Sequence, residues 1–428
     1  RSLVTDNAIT NQFDNVSINH YDDTFEYLSR SDWQGTWPSV YEGGSFEASS
    51  ELLSDLEFYR GEDVLNDPDA TMPTFNESPS EEEPLMLVDL IDAPKDDAGW
   101  DTLLNRLSKS QMTRLVRMGG YATVPIDDIG LPGTTAKDGT AGFSDSLIPG
   151  RSGMAFPPPL SQASTWNKDL MREVGLAIGE DSLALGITGW YAPGINIHRS
   201  PYSGRNFEYY SEDPLLSGQA ASAVIEGARE KGTMTYMKHF ALNAQETNRI
   251  GGAMFANEQS IREIYLKGFE IAIKEGGTHS LMTSMNRLGA RWSGAHEGLM
   301  TEVLRNEGGY EGFAITDQAA VQAMAYQDHI SGLYAGTDMW LNTNNTFWSL
   351  SDYEDNPTLM SNVRDATHNI IYTVAQSNAM NGLGEDAVLR EITPTWQKLL
   401  YGLDAVAFTG SAALITVATV RIVKHKRQ

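Results

Sequence analysis

From Leu85 onward the chain alternates short apolar runs with amphipathic stretches of helical period, and few folds accept that pattern. A strand covered on both faces reads as a continuous apolar run. A helix between successive runs carries the chain back, so the strands pair in parallel. The helix and strand pairs fall at 168–185 with 189–197, 215–230 with 233–242, 258–274 with 279–285, and 297–306 with 312–316. A further strand over 333–341 precedes a helix over 359–376. The region 85–382 suits one α/β barrel of the (β/α)8, TIM-like type better than two small domains, although the pattern does not place all eight strands. In such a barrel, polar side chains at the C-terminal ends of strands are the candidates for chemistry.

The flanks read differently. Residues 1–84 mix aromatic clusters (Phe25, Tyr27, Trp33, Trp37, Tyr41) with Gly, Ser and acids and end in the loop MPTFNESPSEEEP, the composition of an acidic linker or accessory segment. The first 100 residues hold 23 acids against four bases, a net −19 of the chain's −26. That balance argues against nucleic acid as a partner, because phosphate recognition needs clustered positive charge. With no cysteine among its 428 residues, the chain has neither disulfide nor thiolate chemistry. Residue 1 is Arg with no signal-like segment after it, which reads as a processed product or a fragment.

After a linker over 383–398, residues 399–423 form an apolar stretch whose core, AVAFTGSAALITVATV, carries no charge. It is long enough to cross a bilayer as a helix. Trp396 would suit the interfacial belt, and the basic tail 424–428, with Lys424, His425, Lys426 and Arg427, reads as cytoplasmic. The expectation is a transmembrane helix holding the barrel outside a bacterial cell. A buried C-terminal helix is the alternative.

Taken in order, the strand ends offer Asp138 (TAKDGTAG), Arg205 (PYSGRNFEYYSEDP), Lys238 and His239 (YMKHFALN), Arg249 (QETNR), Asn286 (TSMNR), Asp317 (AITDQ) and Asp338 (GTDM). Cations, carboxylates and amides gathered on one rim suit a polyhydroxylated neutral ligand, because charged groups form strong, directional hydrogen bonds with hydroxyls. Asp317 follows the apolar run Gly312–Ile315, so a barrel strand would deliver it to the rim, where a carboxylate can attack an anomeric carbon. Each residue also has an ordinary structural role open to it. Asp317 can cap a following helix, the Asp138–Gly139 pair can be a turn, Arg205 can pair with Glu212, and His239 can be a satisfied rim histidine. Glu208, Glu212, Asp213 and His198 read as scaffold. No grouping has the spacing of a metal site, no Gly-rich loop has phosphate-binding form, and no cofactor is expected.

The runs APGINIHRSPYSGRNFEYYSEDPLLSG, KHFALNAQETNR and GFAITD, together with the upstream GLPGTTAKDGTAG, resemble glycoside hydrolase family 3 over roughly residues 129–321, and more weakly to about Gly382. The resemblance implies a retaining exo-β-glycosidase, more β-glucosidase-like than β-xylosidase-like. In that reading Asp317 is the nucleophile that forms the glycosyl-enzyme intermediate, while Asp138, Arg205, Lys238, His239 and Arg249 bind hydroxyls of the terminal sugar. Two positions depart from the family pattern: Met285 stands where many members have Tyr, and Gln318 where many have Trp after the nucleophile. Arg287 and Trp292 are the candidates to replace the lost aromatic surface.

The acid/base is expected outside this sequence. KHFALNAQ lacks the second His of the subgroup that uses a His/Asp dyad. In the larger subgroup the acid/base Glu comes from an α/β sandwich domain, here expected before the barrel or as a companion chain. The other reading is a membrane-tethered sugar-binding protein whose catalysis is impaired.

Overall fold

The structure, a computed structural model, describes residues 10–23, 25, 27, 47–57, 61–79, 84–144, 150, 152–343, 349–381 and 395–426. The chain divides into two compact units, residues 1–385 and 386–428. In the first, the strands are β1 (Ala136–Asp138), β2 (Gly189–Tyr191), β3 (Met234–Phe240), β4 (Ala253–Met254), β5 (Ser280–Thr283), β6 (Arg287–Leu288), β7 (Arg291–Trp292), β8 (Phe313–Gln318) and β9 (Met339–Leu341). Six of them pair in the order β1-β2-β3-β5-β8-β9, every pair parallel, and β4, β6 and β7 form a small separate sheet.

The ring is completed by an irregular arm rather than by the two further parallel strands that a (β/α)8 count requires. Residues 121–126 run antiparallel to 131–136: the Ala136 N–H donates to Tyr121 O at 2.7 Å, and Ile126 and Leu131 exchange two bonds of 3.0 Å across a turn that ends on Gly130 at φ 72°. On its other side the arm meets β9, where the Gly119 N–H donates to Trp340 O at 2.9 Å. Two adjacent glycines make that approach possible. A Cβ on Gly119 would stand 2.8 Å from Trp340 O, and one on Gly120 2.7 Å from Asn342 O. The sheet is therefore barrel-like, with six parallel strands and one antiparallel arm among the described residues.

The helices that carry the chain back between strands have clear sequence causes. Lys168–Leu185 starts on Asn167, whose side chain accepts from Leu170 N, and stops on Gly186 at φ 62°. Pro214–Arg229 starts on Asp213, whose side chain accepts from Leu216 N, with Pro214 in its first turn. These two helices touch backbone to backbone, since a Cβ on Gly175 would lie 2.2 Å from Val224 O. Inside the ring, aromatic side chains fill the space: Tyr191 and Tyr236 meet edge to face at 4.8 Å, and Tyr236 and Phe313 at 5.5 Å. The barrel is a packed core and not a pore.

Several expected elements shift. The run over 333–341 is not one strand. His329–Ala335 is a helix capped by Asp328 and ended by Gly336 at φ 103°, and only Met339–Leu341 is extended. The helix expected over 297–306 is π-helical over Gly298–Glu307, and the one expected over 258–274 contains a π turn at Ile261–Tyr265. Part of the acidic N-terminal segment is a fitted layer. Phe13 and Val16 are fully buried, and Glu258 accepts from the Gln12 and Phe13 N–H groups at 3.2 and 3.0 Å. Trp33, Trp37, Tyr41, residues 80–83 of the acidic loop and residues 383–394 of the expected linker lie outside the described residues, as do Arg427 and Gln428.

In the second unit Thr395–His425 is one helix, and its segment Gln397–Val423, 27 residues, is long and apolar enough to cross a membrane, with none of that span buried.

Candidate active site

The C-terminal ends of the parallel strands and the loops that follow them bring the six residues implied by the family resemblance into one linked cluster. Asp138 closes β1, Lys238 and His239 sit near the end of β3, and Asp317 sits near the end of β8. Arg205 comes from the loop after β2, which is tied to the barrel where Gly194 bridges both Tyr209 and Lys238. Arg249 comes from the loop after β3. The excursion between His239 and Arg249 folds back, so both flank Asp317.

The links are short. Lys238 Nζ donates to Asp138 Oδ1 at 2.7 Å. Lys238 is buried, while 36% of the Asp138 side chain still meets solvent in the pocket. Burial pushes the Asp138 carboxyl up, but the charge and hydrogen bond of Lys238, the Gly139 N–H and the Arg205 charge together hold it below the usual carboxylate range. Arg205 forms a forked pair with Glu208, 2.9 and 2.6 Å, and is held in its charged form against the cost of its burial. Its ion-pair partner is Glu208, three residues on; Glu212, the alternative offered by the sequence, is not in that role. Asp213 is scaffold, as the cap of helix Pro214–Arg229, and His198 contacts Tyr209 O at 3.0 Å.

His239 is held through both its backbone and its ring. Asn196 clamps its backbone, accepting from the His239 N–H at 2.7 Å and donating to its carbonyl at 2.9 Å. Burial, followed by the charges of Arg205, Lys238 and Arg249, drives its pKa well below the ordinary value, so the ring is neutral. Asn243 donates to the Tyr209 hydroxyl oxygen at 3.0 Å, which leaves the Tyr209 proton free for His239 Nδ1 at 3.2 Å. The ring proton then resides on Nε2, which faces Asp317 Oδ2 at 3.6 Å.

Asp317 is no helix cap: the following helical turns are capped by Val321 and Asp328. Its Oδ1 accepts from the Gln318 N–H at 2.7 Å. Its Oδ2 is buried without a hydrogen-bond partner, with His239 Nε2 at 3.6 Å and Arg249 Nη1 at 3.7 Å, and Arg249 Nη1 is likewise unpartnered. One carboxylate oxygen is thus anchored, and the other faces a gap lined by two donors too distant to satisfy it. An anchored, desolvated carboxylate with one free oxygen can attack an electrophilic carbon or accept from a hydroxyl.

Other expectations fail. Asp338 lies at the N-terminal end of β9, the opposite end of the barrel, where it accepts from Arg305 at 2.7 Å and Asn369 at 2.8 Å. Asn286 is a different case: it is buried just beyond β5, donating to Ala241 O at 3.1 Å, with its Oδ1 unpartnered. Trp292 supplies no pocket surface: it is buried, donates to Ser284 O and packs on Trp340. The aromatic residues with electrostatic reach to Asp317 are Tyr121 and Tyr326, each pushed up to about 12, first by burial. Tyr326 donates to Met285 O at 2.7 Å, and Arg287 lies over its ring at 5.5 Å. Tyr121, Tyr209, Asn196, Asn243, Glu246 and Tyr326 were missed from sequence. For Tyr121 the signal was the adjacent Gly119–Gly120 pair, and for Glu246 its place three residues before Arg249. Among the described residues no group of His, Asp and Glu could hold a metal ion.

Residues 106–373 match the model described as the glycosyl hydrolase family 3 N terminal domain. The chain is 40% identical over 220 residues to β-glucosidase A of Butyrivibrio fibrisolvens, covering 51% of this chain and 26% of that protein. It is 36% identical over 204 residues to the exo-α-(1→6)-L-arabinopyranosidase of Bifidobacterium breve, covering 46% and 27%. Among solved structures, β-glucosidase 3B of Thermotoga neapolitana in complex with glucose superposes with a TM-score of 0.59 at 33% identity, covering 65% of this chain and 43% of that one. The chain therefore spans less than half the length of these relatives. Since the family match takes in the ring from helix 109–117 through helix 357–375, and the whole candidate site with it, this chain belongs to glycosyl hydrolase family 3.

Proposed function

We propose that the chain carries the sugar-binding and nucleophilic half of a retaining exo-β-glycosidase that acts on terminal β-linked glucose-like sugars. The observation that carries this reading is Asp317 Oδ2, a buried carboxylate oxygen without a hydrogen-bond partner, beside a sibling oxygen fixed by the Gln318 N–H. In the mechanism Oδ2 attacks the anomeric carbon, the aglycone departs with a proton, and water then cleaves the glycosyl ester. Asp138 accepts from the hydroxyls at the far side of the ring, Lys238 and the arginines donate to hydroxyls, and His239 offers its Nε2 proton at the edge nearest the reacting carbon. Several of the relatives are named β-glucosidases, which supports the sugar class.

The general acid/base belongs to a sandwich domain or companion chain. In support, the other pocket carboxylates act as acceptors for cations: Asp138 for Lys238, Glu208 for Arg205, and Glu246 for Arg249. An activated 2-fluoro β-glucoside, whose good leaving group departs without acid assistance, is expected to label the protein once, on the peptide containing Asp317, as read by mass spectrometry. Reversible protection by the sugar with no covalent label would replace this reading with that of a sugar-binding barrel.

The same proposal places the barrel outside a bacterial membrane, held by Gln397–Val423, with residues 1–84 as the acidic connecting segment. The full chain is expected to sediment with membranes and resist alkaline extraction, whereas a chain ending before Thr395 stays in the supernatant. Release of the full chain by alkali would remove the anchor from the reading.

A further inference from the structure

Each of the three cations flanking the pocket holds a carboxylate other than Asp317. Lys238 is bound to Asp138 at 2.7 Å and Arg205 to Glu208 at 2.6 Å. Arg249 presents its Nε edge to Glu246 Oε2 at 3.1 Å. Glu246 is itself fixed from two sides, accepting from Asn243 Nδ2 at 3.2 Å and lying 3.9 Å from Arg205 Nη1. Its side chain is 21% exposed and that of Arg249 26%, so both are largely desolvated.

A guanidinium and a carboxylate left to themselves close into a contact of about 2.7–2.9 Å, commonly bidentate. Arg249 Nη1 and Asp317 Oδ2 stand 3.7 Å apart, both buried and both without a hydrogen-bond partner. The pair is under 1 Å from closure, and the carboxylate that engages the other edge of Arg249 is Glu246.

We propose that Glu246 is a positioning residue that holds Arg249 off the nucleophile, keeping Asp317 Oδ2 free to attack and Arg249 Nη1 free for a substrate hydroxyl. The inference rests on the reading of Asp317 as nucleophile. With Glu246 neutralised, the Arg249 guanidinium turns toward the remaining carboxylate. Oδ2 then accepts a charged hydrogen bond along the direction it needs for attack, and the sugar loses a donor to the same contact. The three carboxylates have distinct uses: Asp138 and Glu208 engage cations that hold the sugar, whereas Glu246 keeps a cation from disarming Asp317.

The test uses the complete protein and its labelling by an activated 2-fluoro β-glucoside. Glu246→Gln is expected to slow labelling about 10- to 100-fold, the size of loss that follows from misplacing a reacting group by about an ångström. Glucose protection should weaken by about tenfold, the loss of one charged donor to the sugar, so labelling is compared at saturating label. Glu246→Asp, which keeps the charge, should recover part of the rate. In an Arg249→Met background, where no guanidinium remains to be restrained, Glu246→Gln should cost less than about threefold further. Parental labelling by Glu246→Gln, or an equal penalty with and without Arg249, would overturn the role given to Glu246. An unlabelled parent protein would overturn the nucleophile reading itself, and this proposal with it.

Discussion

Asp317→Asn is expected to reduce turnover of an aryl β-glucoside by the complete protein by about four orders of magnitude or more, the scale seen when a covalent nucleophile is removed. The folded state should barely notice. Asn keeps an oxygen for the Gln318 N–H, the one hydrogen bond of 2.7 Å that the carboxylate makes, and its amide nitrogen replaces an oxygen that has no hydrogen bond to lose. That nitrogen faces His239 Nε2 and Arg249 Nη1 at 3.6 and 3.7 Å, far enough for the like donors not to clash. The unfolding free energy should therefore change by no more than about 1 kcal/mol. Asp317→Ala should be equally inactive but respond to added azide, which can enter the vacated space and attack the anomeric carbon in place of the carboxylate. Turnover within tenfold of the parent in the Asn variant, measured alongside an unchanged denaturant midpoint, would rule out covalent catalysis by Asp317. Loss of turnover together with loss of the folded state would show only that the position is structural, and the unchanged midpoint is the control against it.

How far the site was legible in the sequence depended on what each residue had to do. Asp317, Lys238 and His239 lie on strands whose apolar runs are plain in the sequence, so their delivery to one end of the barrel followed from the βαβ pattern, whereas Asp138 sits on the short strand Ala136–Asp138, which no apolar run marks, and was singled out by the resemblance of GLPGTTAKDGTAG. Asp338 shows the limit of that logic. An Asp within an extended-looking run was read as a strand end, but Gly336 stops a helix two residues earlier, so Asp338 begins its strand and pairs with Arg305 at the other end of the barrel. An apolar run over 333–341 cannot by itself distinguish a short helix plus a short strand from one long strand. The closing arm at 119–126 was hidden for a related reason. Its bonds to β1 and β9 are made by an irregular segment with Tyr121 at φ 59°, and no period-2 pattern marks it. Residues that hold other residues were the least visible. Glu246, Asn196 and Asn243 have no signature of their own, because their role depends on where Arg249, His239 and Tyr209 end up in space.

Acid should destabilise this protein at a pH at which most carboxylates are still ionised, because three of its histidines are buried in neutral form and two more are partly buried. Burial is the first cause in each case: it drives His239 and His329 well below the ordinary histidine value and lowers His279, His296 and His368 to about 4. All five pack against aromatic rings, among them His329 on Trp340 at 4.6 Å and His279 on Tyr372 at 6.0 Å, where an imidazolium would lose its hydration. Their folded pKa values lie below the unfolded one of 6.5, so between those limits the unfolded chain binds the extra protons. Their contribution is therefore complete above pH 6.5 and is lost as pH falls toward 4. At pH 5 His296, lowered to about 4, costs about 2 kcal/mol, His239 and His329 add in the same direction, and the partly exposed His279 and His368 add less. Costs of that size are a substantial share of an ordinary domain's stability, about 5–15 kcal/mol. Asp338 acts in the opposite sense, since burial raises it and favours the folded state once it begins to take up protons, but its window lies nearer the carboxylate range. Asp138, held low by Lys238, adds to the loss only below about pH 4. The urea midpoint should accordingly fall steeply between pH 6.5 and 5. The slope should be shallower in His296→Phe, where the ring against Phe13 is kept and the titrating group is removed. A midpoint that stays level from pH 7 to pH 5 would mean that these imidazoles are reached by water and carry their protons in the folded barrel.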